Sequence, residues 1–416
     1  MEEQDKVDCK HICPMVRRVK GLPQRQKVAL MFISALLFYT LLLLVMNGSN
    51  FGADWVDDVT GTEINTHPDV WFYQERTSGI LAGKIPYLDF YSESPPLVMY
   101  LLVPAALMGN TLLSYAVLFT GYTFLTAFLI YRLLGRVNER LAYYATLSFL
   151  FNPITWTTAT IFVQDEMIVT LFYVLPVLLV LLGFGREATV AATLGAATKI
   201  FSAILIPMTL IRQKARERWQ SLLLLLLLAL AVIVPLSLAA GGDFILFIHY
   251  YLSQTGDLGM REGTSLWRIL HDLGLDVPGI LLQSLFAVST LIMLLLVWRR
   301  EIDPVRSAFL LIMPFFLFFP KVFTCYYIIP FSVLCIVGVL DYKQTLLMTL
   351  AAFLSFFIQF FNTHHDVPAY IPMEGMVALV PVLMALGVHA ILIYLSWRQL
   401  TMPAHPLLQP KKSSQS

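Results

Sequence analysis

Apolar runs of bilayer-crossing length follow one another along almost the whole chain, separated by short polar connectors. A helix needs about 20 apolar residues to cross a membrane. Runs of that kind occupy 28–46, 111–131, 141–162, 165–183, 219–239, 279–297, 306–319, 322–340, 344–361 and 376–396. Two stretches depart from the pattern: 95–109 opens on Pro95-Pro96 and closes on Gly109-Asn110, and 188–211 is interrupted by Lys199 and Pro207. The pattern predicts an all-α, polytopic integral membrane protein with about 10–12 membrane segments. A basic tail over 1–27 precedes a membrane domain over 28–398, and a second tail runs over 399–416.

Lys and Arg near span ends mark the cytosolic side. Placing every basic cluster there (the N-terminal tail, Arg132/Arg136/Arg140, Arg186, Arg212 to Arg218, Arg299/Arg300/Arg306, Lys343, Arg398) makes 95–109 a half-span that returns to its own side. The same arrangement makes 188–211 a broken helix pair. If 95–109 crosses fully instead, Arg132 to Arg140 lie outside and the later spans invert. Irregular backbone at membrane depth is tolerated only in protein or along a cavity, so both pieces are candidate cavity walls. In the first arrangement the loops 47–94 and 240–278, Gln164-Asp165-Glu166, Lys321 and His364-His365-Asp366 share the non-cytosolic face.

Composition narrows the class. Charged residues are 13% of 416 and hydrophobic ones 58%, against roughly 25% charged in soluble domains, so no large soluble domain fits. The net charge of +1 gives no basic stripe for nucleic acid, and no nucleotide-binding or zinc-protease motif is present. The first apolar run is longer than the 7–15 residues of a cleavable signal and reads as a retained anchor. Four cysteines make no disulfide framework. Cys9, His11 and Cys13 fall short of a closed metal site, and His364-His365-Asp366 lacks ligands at fixed spacing. These residues give no cofactor or metal site, while the acids of loop 47–94 leave a metal open. Asn47-Gly48-Ser49 matches a glycosylation acceptor but abuts a span.

The chemistry-bearing residues gather in few places. Loop 47–94 holds eight acids, among them Asp69, Asp89 and Glu93. Asp54, Asp57 and Asp58 are readable as solubilising charges. Asp69 opens an amphipathic stretch with Tyr73 and Arg76 at helical spacing, which would lie on the membrane surface. A carboxylate beside apolar surface can serve as a general base. Asp165, with Gln164 and Glu166, is either the cap of the span that follows or a substrate contact. Lys199 within an apolar stretch either snorkels or holds an anionic partner. Arg261, Glu262, Ser265 and Arg268 in the second outer loop either bind a lipid phosphate or are solvated. Lys321, after Pro320, breaks the inside-positive pattern.

The string Asp69-x3-Tyr73, Gly83-x2-Pro86-Tyr87-x-Asp89-Phe90 and Glu93-Ser94-Pro95-Pro96-Leu97 resembles the first outer loop of GT-C glycosyltransferases, in the branch of polyprenol-phosphate-mannose-dependent mannosyltransferases. Ser94 stands where that branch usually has Tyr. Gln164-Asp165, Lys199 before Pro207, Arg261-Glu262 with Ser265 and Trp267, and Cys325-Tyr326-Tyr327 before Ile329-Pro330 follow in the family's order, the last without its Gln. The resemblance covers about 69–330. It implies a GT-C-like helical bundle and transfer of a hexose, mannose by default, from a polyprenyl-phosphate sugar to a glycolipid or glycan acceptor, with inversion. It implies Asp69 as catalytic base, with Lys199, Arg261 and Lys321 near the donor phosphate. Tyr73, Tyr87, Asp89, Glu93, Gln164, Asp165, Glu166 and Glu262 complete the expected substrate-binding set. A lipid-linked sugar transporter or flippase is the rival reading, but no internal repeat is visible and the polar groups favour one face. A glycan polymerase or ligase and a non-catalytic assembly subunit are further alternatives. The short loops favour a prokaryotic plasma membrane over the endoplasmic reticulum.

Overall fold

A computed structural model of the chain describes residues 22–48, 55–56, 63–64, 68–90, 92, 94–239, 262–263, 265, 267, 270, 275, 277–319, 321–361, 379–403 and 408. The N-terminal Cys-His-Cys set, Arg261, Glu93 and His364-His365-Asp366 lie outside these residues. The protein is all-α and polytopic, as the apolar pattern predicts. Four helices among the described residues are long and apolar enough to cross a membrane by themselves. These are α1 (Gln24–Gly48), α4 (Leu112–Leu134), α10 (Ala215–Ala239) and α15 (Leu379–Thr401).

The remaining helices are shorter because capping residues and prolines divide the apolar runs. Run 141–162 becomes α5 (Glu139–Phe151), a one-turn α6 (Pro153–Trp156) and a π-helical turn over Thr157–Ile161. Asn152 makes the break: its Oδ1 accepts from Ile154 N at 2.9 Å, and Pro153 takes the first position, where no N–H is needed. Its Nδ2 donates to Thr349 Oγ1 at 2.8 Å. Asn138 caps α5 through Leu141 N at 2.8 Å, and Thr111 with Ser114 forms a capping box on α4. Stretch 322–340 begins with a short strand and a 3-10 turn, leaving α13 (Ile328–Gly338) only about 17 Å long.

Two layers follow from burial. The centre comprises α7 (Glu166–Leu181), α12 (Pro304–Phe318) and α13, whose residues are buried on nearly every side. A helix apolar all round is stable only inside protein or lipid. The periphery comprises α1, α10, α11 (Gly279–Arg299), α14 (Tyr342–Phe361) and α15. Their uncovered faces carry Leu36, Leu37, Leu41, Leu223, Leu226, Leu227, Leu291, Phe353 and Leu386, a lining suited to acyl chains and far too apolar for water. Single buried hydroxyls add ties between helices: Tyr39 of α1 donates to Leu150 O of α5 at 3.0 Å, and Tyr173 of α7 to Ala308 O of α12 at 2.8 Å.

One end of the bundle is closed by a polar knot. Asp303 caps α12 by accepting from Arg306 N at 3.0 Å and pairs with the Arg306 guanidinium. Arg306 Nη1 donates to Met402 O at 2.6 Å and Gln399 O at 3.3 Å, satisfying carbonyls at the end of α15. The sequence counts Arg306 among the surface charges of a cytosolic connector. It is in fact 5% exposed and structural.

Candidate functional site

At the opposite end lies α2 (Pro68–Leu81). Its buried face carries Val70, Tyr73, Arg76 and Thr77, while Trp71 is exposed, the amphipathic division its spacing predicts. Asn110 fixes the far half of this helix. Its carbonyl accepts from Gln74 Nε2 at 2.7 Å, its Nδ2 donates to Ser78 Oγ at 3.1 Å, and its Oδ1 accepts from Tyr115 OH at 2.7 Å. Asn tolerates the left-handed backbone found there, φ 54°. The preceding helix α3 (Pro96–Leu107) starts against the opposite side of the same region, with Leu97 N donating to Ala197 O at 3.0 Å. Both ends of α3 are therefore tied to elements that build this region.

The near half of α2 meets the chain entering α7. Gln164 Nε2 donates to Asp69 Oδ2 at 2.6 Å, joining residues 95 apart in sequence. Asp165 N donates to Tyr73 OH at 3.2 Å. Tyr73 packs against Tyr115 and Phe119. Burial first, and then the charges of Asp165, Asp69 and Glu166, hold its phenol well above the ordinary value, with Lys199 opposing them, so it stays protonated. The turn delivering Gln164 is strained. Val163, β-branched and 1% exposed, sits at φ 51°, a conformation costing about 1–3 kcal/mol. It is held there by the π turn, where Phe162 N donates to Thr157 O at 2.8 Å and Gln164 N to Thr158 O at 3.1 Å.

Lys199 closes the cluster. It stands in extended conformation between α8 (Gly185–Ala196) and a 3-10 turn over Ile200–Leu205 that leads into α9 (Ile206–Ile211), so 188–211 is the interrupted pair its Lys and Pro suggest. The fold-back needs Gly195: a Cβ there would lie 2.5 Å from Ser202 Oγ and 2.9 Å from Phe172 Cβ. Lys199 Nζ reaches Asp165 Oδ1 at 2.8 Å and Glu166 Oε1 at 2.5 Å, and lies 5.4 Å from the Tyr326 ring centroid. Asp165 occupies the cap position of α7 but makes no side-chain cap bond; its carboxylate faces Lys199 instead. Glu166 is fully buried, and among the described residues its Oε2 has no partner. The lysine neither snorkels nor stands free: it neutralises part of a pair of carboxylates.

The structure thus joins Asp69, Tyr73, Gln164, Asp165, Glu166 and Lys199 into one constellation. Tyr326, outside the expected set, belongs to it; the Cys-Tyr-Tyr stretch was its only signal. Tyr87 and Asp89 make local contacts beside it. Tyr87, left-handed at φ 68°, donates from its hydroxyl to Ser94 O at 2.6 Å. Asp89 is exposed, and its Oδ2 accepts from Ile85 N at 2.7 Å, stapling the turn that follows α2. Glu262 and Lys321 pair in register in a short parallel ladder, β1 (Glu262–Gly263) with β2 (Lys321–Val322). Two expected site positions from separate outer segments therefore meet through their backbones.

A half-buried carboxylate oriented by an amide, beside buried acids compensated by one ammonium, can accept a proton from a hydroxyl and bind polyols. No protein-family model matches the sequence, and no curated protein matches it.

Proposed function

We propose that the protein is a membrane glycosyltransferase of GT-C type that moves a hexose, mannose foremost, from a polyprenyl-phosphate sugar to a glycolipid or glycan acceptor on the non-cytosolic face, with inversion. The reading is supported above all by the Gln164–Asp69 hydrogen bond of 2.6 Å. It ties the surface helix carrying the proposed base to the Asp165–Lys199–Glu166 cluster, and so brings the widely spaced motif residues of the resemblance into one place. In this reading Asp69 removes the acceptor hydroxyl's proton as the oxygen attacks the anomeric carbon, and the polyprenyl phosphate leaves as a stable anion. Gln164 orients the carboxylate. Asp165 and Glu166, held by Lys199, contact sugar hydroxyls, and the resemblance assigns Arg261 and Lys321 to the donor phosphate. The membrane is that of a prokaryotic cell. Mass analysis of lipid-linked glycans tests the proposal. Cells lacking the protein should accumulate a glycan short by one hexose, restored by the wild type and not by Asp69→Asn. An unchanged glycan profile would overturn it.

A further inference from the structure

Arg76 is a cation that the site described so far leaves unused. It is 5% exposed, yet among the described residues its guanidinium has neither an ion pair nor a hydrogen bond, and Nε is buried without any partner. Its close neighbour is the Phe72 ring, 5.2 Å from the guanidinium carbon. A guanidinium keeps its charge at every working pH, and burying a charge is costly unless an anion meets it.

Position on α2 says which anion. Seven residues separate Asp69 from Arg76, which at 3.6 residues per turn places them about 20° apart around the helix and roughly 10 Å apart along it. Tyr73 stands between them on the same side. The Asp69 end is rich in carboxylates: Asp165 and Glu166 share one ammonium, Asp69 accepts from Gln164, and among the described residues Glu166 Oε2 lacks a donor. A phosphate would be repelled there and attracted at the Arg76 end. Inversion demands the same separation, because base and leaving group must lie on opposite sides of the reacting carbon. A base–hydroxyl contact of about 3 Å, an attack distance of about 3 Å, the bridging bonds and a guanidinium–oxygen contact of about 3 Å together span roughly that length.

We infer that Arg76 is the anchor for the phosphate of the membrane-borne donor and for the polyprenyl phosphate it leaves behind. The inference rests on the glycosyltransferase reading for its substrate and on the unpartnered guanidinium for its residue. The test is direct binding to the full-length protein in nanodiscs. The probes are farnesyl phosphate, farnesol and inorganic phosphate, and the proteins are wild type, Arg76→Gln and Arg76→Lys. Farnesyl phosphate affinity should fall at least tenfold in Arg76→Gln and recover in part in Arg76→Lys. Farnesol binding and the thermal midpoint should stay unchanged. A farnesyl phosphate affinity within twofold of wild type in Arg76→Gln would overturn the assignment. Equal affinity for inorganic phosphate in the wild type would overturn its lipid character. Because no sugar is present, Arg76-dependent binding stands even where sugar transfer fails, and transfer that survives Arg76→Gln at full efficiency refutes the anchor while leaving the enzyme reading intact.

Discussion

Replacing Lys199 with Met removes the ammonium and keeps most of the side chain's apolar stem. Two carboxylates then lose their counter-charge, Asp165 at 3% and Glu166 at 0% exposure, together with contacts of 2.8 and 2.5 Å. Breaking a buried ion pair by deleting one partner costs about 3–5 kcal/mol, because the survivor stays buried and charged. Lys199 itself is 19% exposed, so water screens part of the loss and the lower end, about 3 kcal/mol, is expected. In a thermal melt of the purified protein followed by tryptophan fluorescence, the midpoint should fall by about 3–4 °C, the shift that this loss produces in a chain of 416 residues. The triple variant Asp165→Asn, Glu166→Gln, Lys199→Met removes all three charges with little change in volume. It should regain most of the lost stability, since neutral replacement of a buried ion cluster is close to neutral in cost, while remaining inactive. A Lys199→Met midpoint within 1–2 °C of wild type, on the same thermal scale, would refute the buried cluster. So would a triple variant as unstable as the single one, because the loss would then not be electrostatic.

Arg306→Met should destabilise by about 3–5 kcal/mol through the stranded Asp303 and the open end of α15, measured by denaturant titration, yet leave KM for any substrate unchanged because the knot closes the far end of the bundle. Tyr73→Phe should cost about 1–3 kcal/mol by leaving the buried Asp165 N–H without its acceptor. Since the folded state holds the Tyr73 proton above its ordinary value of 10.0, stability falls as pH rises past that value, and Tyr73→Phe should make the alkaline fall shallower in melts taken between neutral and alkaline pH. Gly195→Val should overpack the fold-back by about 1–3 kcal/mol and displace Lys199, so transfer should fall more steeply than stability when both are measured on one preparation.

Much of this architecture is legible in the apolar pattern, because bilayer-length runs leave the backbone no alternative to helix. Asn152, Pro153 and the Lys199–Pro207 interruption mark where those helices break. The direction of the pairing at Lys199 is not legible: an apolar segment with one lysine reads alike whether the side chain snorkels or turns inward. The choice is made by Gly195, which permits the fold-back, and by acids from another helix. Arg306 shows the same limit from the other side, a buried strut indistinguishable in sequence from its exposed neighbours Arg299 and Arg300. Asp89 reads as a site acid in a motif string, yet its carboxylate staples a turn. Asn110 carries no pattern that separates it from an ordinary loop residue, and only tertiary contact gives it a place.

The central claim is that Asp69 is the base for transfer of a lipid-borne sugar. The direct measurement is single-turnover transfer of labelled hexose from a polyprenyl-phosphate sugar to acceptor in proteoliposomes, comparing wild type with Asp69→Asn at matched fold stability. Loss of a general base predicts a rate lower by about 10²–10⁴-fold with donor binding retained. A rate for Asp69→Asn within a few-fold of wild type would contradict the account.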